Sequence, residues 1–219
     1  SYFIGYSNGE VHLINMLDRI SVHHTFDSIL ALKVHPKEDR QTTLISLSCV
    51  GQVHYIHSST GKLLQEFTVG DEYDKKARTL QLSPTGEKMA VSYKNGAIEI
   101  FDENIHTSET YLDNGSVYGN GHVNAVHALA FSNINPSVLI SGGRDKRVCL
   151  WDLRKKDAFK MITSATVLGE SVDTKDRTII VADYVSPGNI YVYDTRKFQD
   201  PMETITTNTS AYGCKFSPK

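Results

Sequence analysis

Nine histidines and three cysteines are the residues of this chain best suited to metal binding or nucleophilic chemistry. Their spacing decides what they can do. The stretch HYIH sets His54 and His57 three residues apart in a run that reads as a strand, so the rings point to opposite faces and cannot grip one ion. His23 and His24 are adjacent and diverge in the same way. His127 falls in an apolar run, where a buried, hydrogen-bonded ring is expected. Cys49 and His54 lack the third group that would orient a nucleophile and its base. No GxSxG, HExxH, Walker loop or GxGxxG occurs. DNGSVYGNG (113–121) is glycine-rich, but no helix pattern follows it, so it reads as a loop and not as a phosphate cradle. The chain is therefore expected to hold no catalytic residue, no metal and no cofactor, and to be no enzyme.

The bulk composition points the same way. With 40% hydrophobic and 22% charged residues, the 219-residue chain has the make-up of a soluble globular protein large enough for a sizeable core. Its 23 basic and 25 acidic residues leave a net charge of −2, which gives no global attraction to nucleic acid or to an anionic membrane. No apolar run approaches the length of a membrane-spanning helix. Cys49, Cys149 and Cys214 are scattered, with no CxxC pair; reduced, buried thiols and an intracellular home are expected. The chain opens at Ser1 inside what reads as a strand, which leaves an upstream targeting segment open.

The elements that must position any functional group emerge from a repeat. VHLIN (11–15), VHYIH (53–57), IEIFD (98–102), VCLWD (148–152) and IYVYD (190–194) share one pattern, and their starts are 42, 45, 50 and 42 residues apart. Each copy has apolar strands before it and a more polar strand after it, separated by turns such as SPTG, KNG and RDKR. The inner strands are apolar at nearly every position, so each small antiparallel sheet must be covered on both faces. Radial stacking of sheets achieves this, with the polar fourth strand at the outer edge.

The period, the Gly121-His122 dipeptide and the Trp151-Asp152 dipeptide resemble the WD40 β-propeller family, over nearly the whole chain and most closely in the fourth unit. The third and fifth units keep Phe101-Asp102 and Tyr193-Asp194, whereas the first two have Asn15 and His57 at the Asp position. The resemblance implies an all-β WD40 propeller of about five recognisable blades, first and last incomplete, with four antiparallel strands each. The units span approximately 1–27, 28–70, 77–113, 122–165 and 166–207, with the start of a next blade at 210–219. Seven blades are usual in this family, so a segment of a longer chain is expected. The resemblance also implies a hydrogen-bonded tetrad of Trp151, Ser141, His122 and Asp145, which would satisfy the buried indole N–H. Asn8 and Asn95, each before a glycine, take the turn position of Asp145 in blades one and three and are read as Asn-Gly hairpin turns.

With no chemistry assigned, loops on a rigid frame carry the functional expectation, which is a non-catalytic scaffold for other proteins in an intracellular multiprotein complex. Asn124, Arg144 and Lys146 fall together on one end of the fourth unit as candidate partner-binding residues. Arg154 and Arg196, two residues after Asp152 and Asp194, resemble the WDxR element of substrate receptors of cullin-4 ubiquitin ligases, which implies docking on the ligase adaptor. They are expected on the opposite end from Arg144 and Lys146, with guanidinium groups free of local ion pairs. Cytoskeletal, ciliary and ribosome-assembly particles are the further settings such a scaffold suggests.

Overall fold

In the computed structural model, the described residues are 2–14, 19–25, 27–71, 73, 75–113, 119–163, 165–185 and 187–217, without the side chains of 2, 19, 20 and 22–24. The side chains of His23 and His24, residue Asn15, residues 114–118 of the glycine-rich stretch, and Pro218 and Lys219 therefore lie outside the described residues.

The described chain forms five antiparallel sheets in sequence order. The first has three strands, β1 (Tyr2–Gly5), β2 (Glu10–Ile14) and β3 (Arg19–His24). The second has β4 (Ile29–Val34), β5 (Thr43–Ser48), β6 (Gln52–His57) and β7 (Leu63–Thr68). The third has β8 (Ala77–Leu82), β9 (Lys88–Tyr93), β10 (Ile98–Asp102) and β11 (Ser108–Leu112). The fourth has β12 (Val126–Phe131), β13 (Val138–Gly143), β14 (Arg147–Asp152) and β15 (Asp157–Thr163). The fifth has β16 (Val172–Lys175), β17 (Thr178–Ala182), β18 (Asn189–Asp194) and β19 (Glu203–Thr206). Apart from these strands the described residues hold one short 3-10 turn, at Glu38–Arg40. No helix among the described residues is long and apolar enough to cross a membrane.

The sheets stack through their first strands: β1 lies beside β4, β4 beside β8, β8 beside β12, and β12 beside β16. The hydrophobic cores consequently lie between sheets. Tyr55 and Val53 of the second sheet pack with Leu80, Val91 and Tyr93 of the third. Ile98 and Ile100 pack with Leu129, Leu139 and Trp151 across the next seam. Leu150 and Ile140 meet Ile179, Val181 and Tyr193 across the one after. Middle strands are buried on both faces, as in β5, β9 and β14, whereas β7 and β19 are almost wholly exposed. This two-sided burial is the physical reason for the unbroken apolar runs in the sequence. Residues 210–217, read from the sequence as the opening of a further unit, form no strand. They lie against the inner edge of the fifth sheet, where the Cys214 N–H donates to the Glu170 carbonyl at 3.1 Å and the Phe216 N–H donates to Asp173 at 2.8 Å.

Candidate functional site

Blade four carries a continuous polar relay in its interior. β13 and β14 pair so that Trp151 faces Leu139 and Ser141 faces Cys149, which puts the indole on the same face as the serine two residues along. Trp151 Nε1 donates to Ser141 Oγ at 2.8 Å. Ser141 Oγ lies 2.7 Å from His122 Nε2, and His122 Nδ1 lies 3.1 Å from Asp145 Oδ1. Asp145 can only accept, so Nδ1 carries the imidazole proton and the serine hydroxyl donates to Nε2. Trp151, His122 and Ser141 are all at most 1% exposed. Asp145 also accepts the Val123 N–H at 2.8 Å and the Arg147 N–H at 3.1 Å. Burial works against its charge, but these donors, led by His122, hold its carboxyl below the usual range.

Gly143 is a member of this arrangement that carries no signal in the sequence. A Cβ there would sit 2.6 Å from both Asp145 Oδ1 and His122 Nδ1. The turn that follows supplies another. Asn8 and Asn95 accept the N–H two residues on, as Asp145 does, but the left-handed residue of each turn is the glycine alone, with φ of 84° at Gly9 and 95° at Gly96. The Asn-Gly pair is thus a turn closed by a single left-handed glycine, not one with two positive φ angles. Blade four has Lys146 in that place at φ 63°.

The surface candidates divide between two ends of β14. Asn124, Arg144 and Lys146 are exposed around the β13–β14 turn. Arg154 and Arg196 lie in the turns after β14 and β18 and are exposed at 69% and 65% of their side chains. Contrary to expectation, both are engaged locally. Arg154 Nε and Nη2 donate to Asp152 at 3.0 and 2.9 Å, and Arg196 Nη2 donates to Asp194 at 2.5 Å. The tight turn after each strand brings residues two apart side by side, and a forked guanidinium then closes on the carboxylate. These pairs lower the carboxyl pKa of both aspartates, chiefly through the arginine hydrogen bonds. In each arginine Nη1 makes no hydrogen bond among the described residues.

The histidines do not converge. His54 lies 3.6 Å from Glu66, and His57 Nδ1 is 3.1 Å from Thr60 Oγ1. His127 is half-buried, and burial lowers its pKa. Among the described residues no group of three His, Cys, Asp or Glu could hold a metal ion. Of the cysteines Cys149 is buried as expected, whereas Cys214 is half-buried and Cys49 is exposed beside the β5–β6 turn.

A second polar cluster was not legible in the sequence. Glu103, fully buried in the β10–β11 turn, reaches back to the second blade, where Arg40 Nη1 donates to it at 3.0 Å. His35 Nε2 lies 3.1 Å from Oε1, at ion-pair distance but outside good hydrogen-bond geometry. Burial pushes the Tyr55 phenol far above its ordinary pKa, with the Glu103 charge as second cause.

Stacked four-stranded antiparallel sheets, with this relay in one of them, define a β-propeller of the WD40 type. Residues 115–152, which hold all four relay residues, match the family described as "WD domain, G-beta repeat". Protein NEDD1 of Mus musculus is 28% identical over 120 residues, covering 55% of this chain and 17% of that protein. The 77 kDa echinoderm microtubule-associated protein of Strongylocentrotus purpuratus is 30% identical over 144 residues, covering 64% of this chain and 19% of that protein. Mitotic checkpoint protein bub-3 of Caenorhabditis elegans is 28% identical over 113 residues, covering 51% of this chain and 32% of that protein. The chain spans less than a fifth of the length of the first two relatives.

Proposed function

We propose that this chain is a non-catalytic, intracellular scaffold that docks other proteins in a cytoskeletal assembly. A protein-interaction role follows from the class, because a propeller presents many loops on a frame that does not deform. The cytoskeletal setting rests on one observation, the 30% identity over 64% of the chain to a microtubule-associated protein. Co-sedimentation of the purified protein with taxol-stabilised microtubules, with and without a cell extract, tests it. Recovery of the protein in the pellet only with microtubules supports the setting. Absence from the pellet in both cases removes it and leaves the general scaffold.

A second reading is favoured by Arg154 and Arg196. Two exposed arginines at equivalent turns of adjacent blades form a repeated surface element suited to a ligase adaptor. Their aspartates fix the guanidinium planes in advance and leave Nη1 for a partner, so little rotamer entropy is lost on docking. In this reading Arg154→Ala and Arg196→Ala each abolish co-purification with the adaptor while the melting temperature stays unchanged. Undiminished co-purification, or no adaptor bound by the unaltered chain, ends it.

A further inference from the structure

Between blades four and five a slot of about 690 Å³ runs along the outer edge of the molecule. Its first wall is residues 159–162 of β15, and its second is residues 196–202, the loop leading to β19. Side chains alternate between the two faces of a strand, so a cavity on one face would touch every second residue. This one touches four in succession and therefore lies along the strand's edge. That edge carries no further strand among the described residues: β15 pairs with β14 alone, and Asn120 Nδ2 donates to the Ala158 carbonyl at 3.4 Å, before the stretch that lines the slot.

The lining is apolar with a cationic rim. Phe198 forms the floor at 1% exposure, packed on Tyr193 with ring centroids 5.3 Å apart. Phe159 and Met202 stand at the lips, 46% and 57% exposed. The Lys160 ammonium bonds the carbonyls of Thr195 at 2.8 Å and Arg196 at 3.4 Å, and no carboxylate among the described residues pairs with it. Lys197 has no acidic partner among the described residues, and Arg196 is already neutralised by Asp194. Asp200 is the one acid in the lining.

We infer that this slot is a docking site for an extended, acidic peptide segment of a partner protein. The segment adds to β15 as a fifth strand through backbone hydrogen bonds. Its apolar side chains enter between Phe159 and Met202, and its carboxylates meet Lys160 and Lys197. The volume falls within the range of sites that enclose a ligand, and the open edge supplies donors and acceptors that a flat apolar patch lacks. The proposal rests on the scaffold reading and gives it one specific surface.

A phage-displayed library of peptides about nine residues long, the length of a typical strand with flanks, tests the inference. Selection is on the unaltered chain, with counter-selection on the Phe159→Glu variant. The expected winners alternate apolar and acidic residues and lack proline at the centre. A fluorescein-labelled winner then loses at least about tenfold in affinity, some 1.4 kcal/mol, towards Lys197→Glu. It loses as much when its own acids become lysine or its central residue becomes proline. Leu64→Glu, on the open edge of the second blade, leaves binding unchanged. No enrichment, basic or proline-rich winners, a winner indifferent to Lys197→Glu, or displacement by a single-stranded oligonucleotide but not by unlabelled peptide overturns the proposal. Capture of partners from extract by the unaltered chain and by Lys197→Glu keeps the two readings apart. Equal capture retains the scaffold and discards the slot, and no capture by either discards the scaffold.

Discussion

Ser141 in blade four and Ser46 in blade two occupy the same place in their strands, and they meet opposite fates. Each lies on the second strand of a four-stranded blade, two residues on from the partner of the repeat's fourth column. In blade four that column holds Trp151, and Ser141 takes the indole N–H and donates to His122. In blade two the column holds Ile56, and the buried Ser46 hydroxyl has no hydrogen-bond partner among the described residues. Blade three resolves the same position apolarly, with Val91 and Phe101 in the two places. A buried hydroxyl is thus stabilising, costly or absent according to a residue ten positions away. The relay is a unit, and keeping one member of it without the others is worse than keeping none.

Blades two and three are joined by a different polar device, the clasp of Glu103 with Arg40 and His35. Breaking it should give the largest effect. Arg40→Ala leaves a fully buried carboxylate without its arginine, and a loss of about 3 kcal/mol is expected, at the low end for a broken buried pair because Arg40 is partly exposed. Urea unfolding measures it, and a loss under about 0.5 kcal/mol would mean that the clasp does not hold the seam.

The same seam sets the response to acid. Burial lowers the pKa of three histidines in or beside blades two and three, His35, His54 and His106, against one in blade four, His127 on β12. A histidine with a folded pKa below its unfolded value of about 6.5 binds its proton more readily once unfolded. Its stabilising effect is full above that pH and declines as pH falls through the folded pKa. The urea midpoint should therefore drop between pH 7.5 and pH 5. Hydrogen exchange followed by mass spectrometry should show β5 and β6 opening before β13 and β14. Asp145, whose pKa is lowered, adds its own loss only below the ordinary carboxylate range. Simultaneous opening of both regions would show that the clasp histidines are not the weak point.

Within blade four, Trp151→Phe copies what blade three already has in Phe101, but without the matching valine. Ser141 then loses its buried donor, and a cost of about 1–3 kcal/mol is expected. The double variant with Ser141→Ala should cost less than the two single changes combined, because the serine has nothing left to satisfy. Strict additivity would separate the indole from the relay.

The relay was legible in the sequence because each member is a distinctive residue type and the family resemblance fixes its spacing. The strands were legible because two-sided burial writes unbroken apolar runs. Gly143 was not, since its requirement comes from the approach of His122 and Asp145, and only coordinates show how close they come. The Glu103 clasp was not, since Arg40 is 63 residues away and no motif links them. The pairing of Arg154 with Asp152 could have been read from their separation. The expectation of a free guanidinium came instead from the demand that an interface arginine be available to its partner, whereas the turn brings the two side chains together.

Ser46→Ala runs opposite to Trp151→Phe. It removes an unsatisfied buried hydroxyl and leaves the surrounding Leu44 and Ile56 packing in place, so stabilisation by about 1 kcal/mol is expected. Destabilisation would mean that a buried water serves this oxygen.

Lys146 gives the smallest and most discriminating change. The equivalent turn residues in blades one, two and three are Gly9, Gly51 and Gly96, all with positive φ, and Lys146 adopts the same left-handed conformation at φ 63°. A side chain there costs about 1–2 kcal/mol relative to glycine, while glycine gives back about 0.4–1 kcal/mol through the greater freedom of the unfolded chain. Lys146→Gly should therefore stabilise by about 0.5 kcal/mol, whereas Lys146→Ala keeps the strain and should leave stability nearly unchanged. Both variants remove the ammonium from the end of the molecule that also bears Asn124 and Arg144. If partner capture falls equally in both while stability rises only in the glycine variant, the lysine is retained for binding at the expense of the turn. If capture is intact in both, Lys146 is a tolerated turn residue and that end of blade four loses its strongest candidate contact.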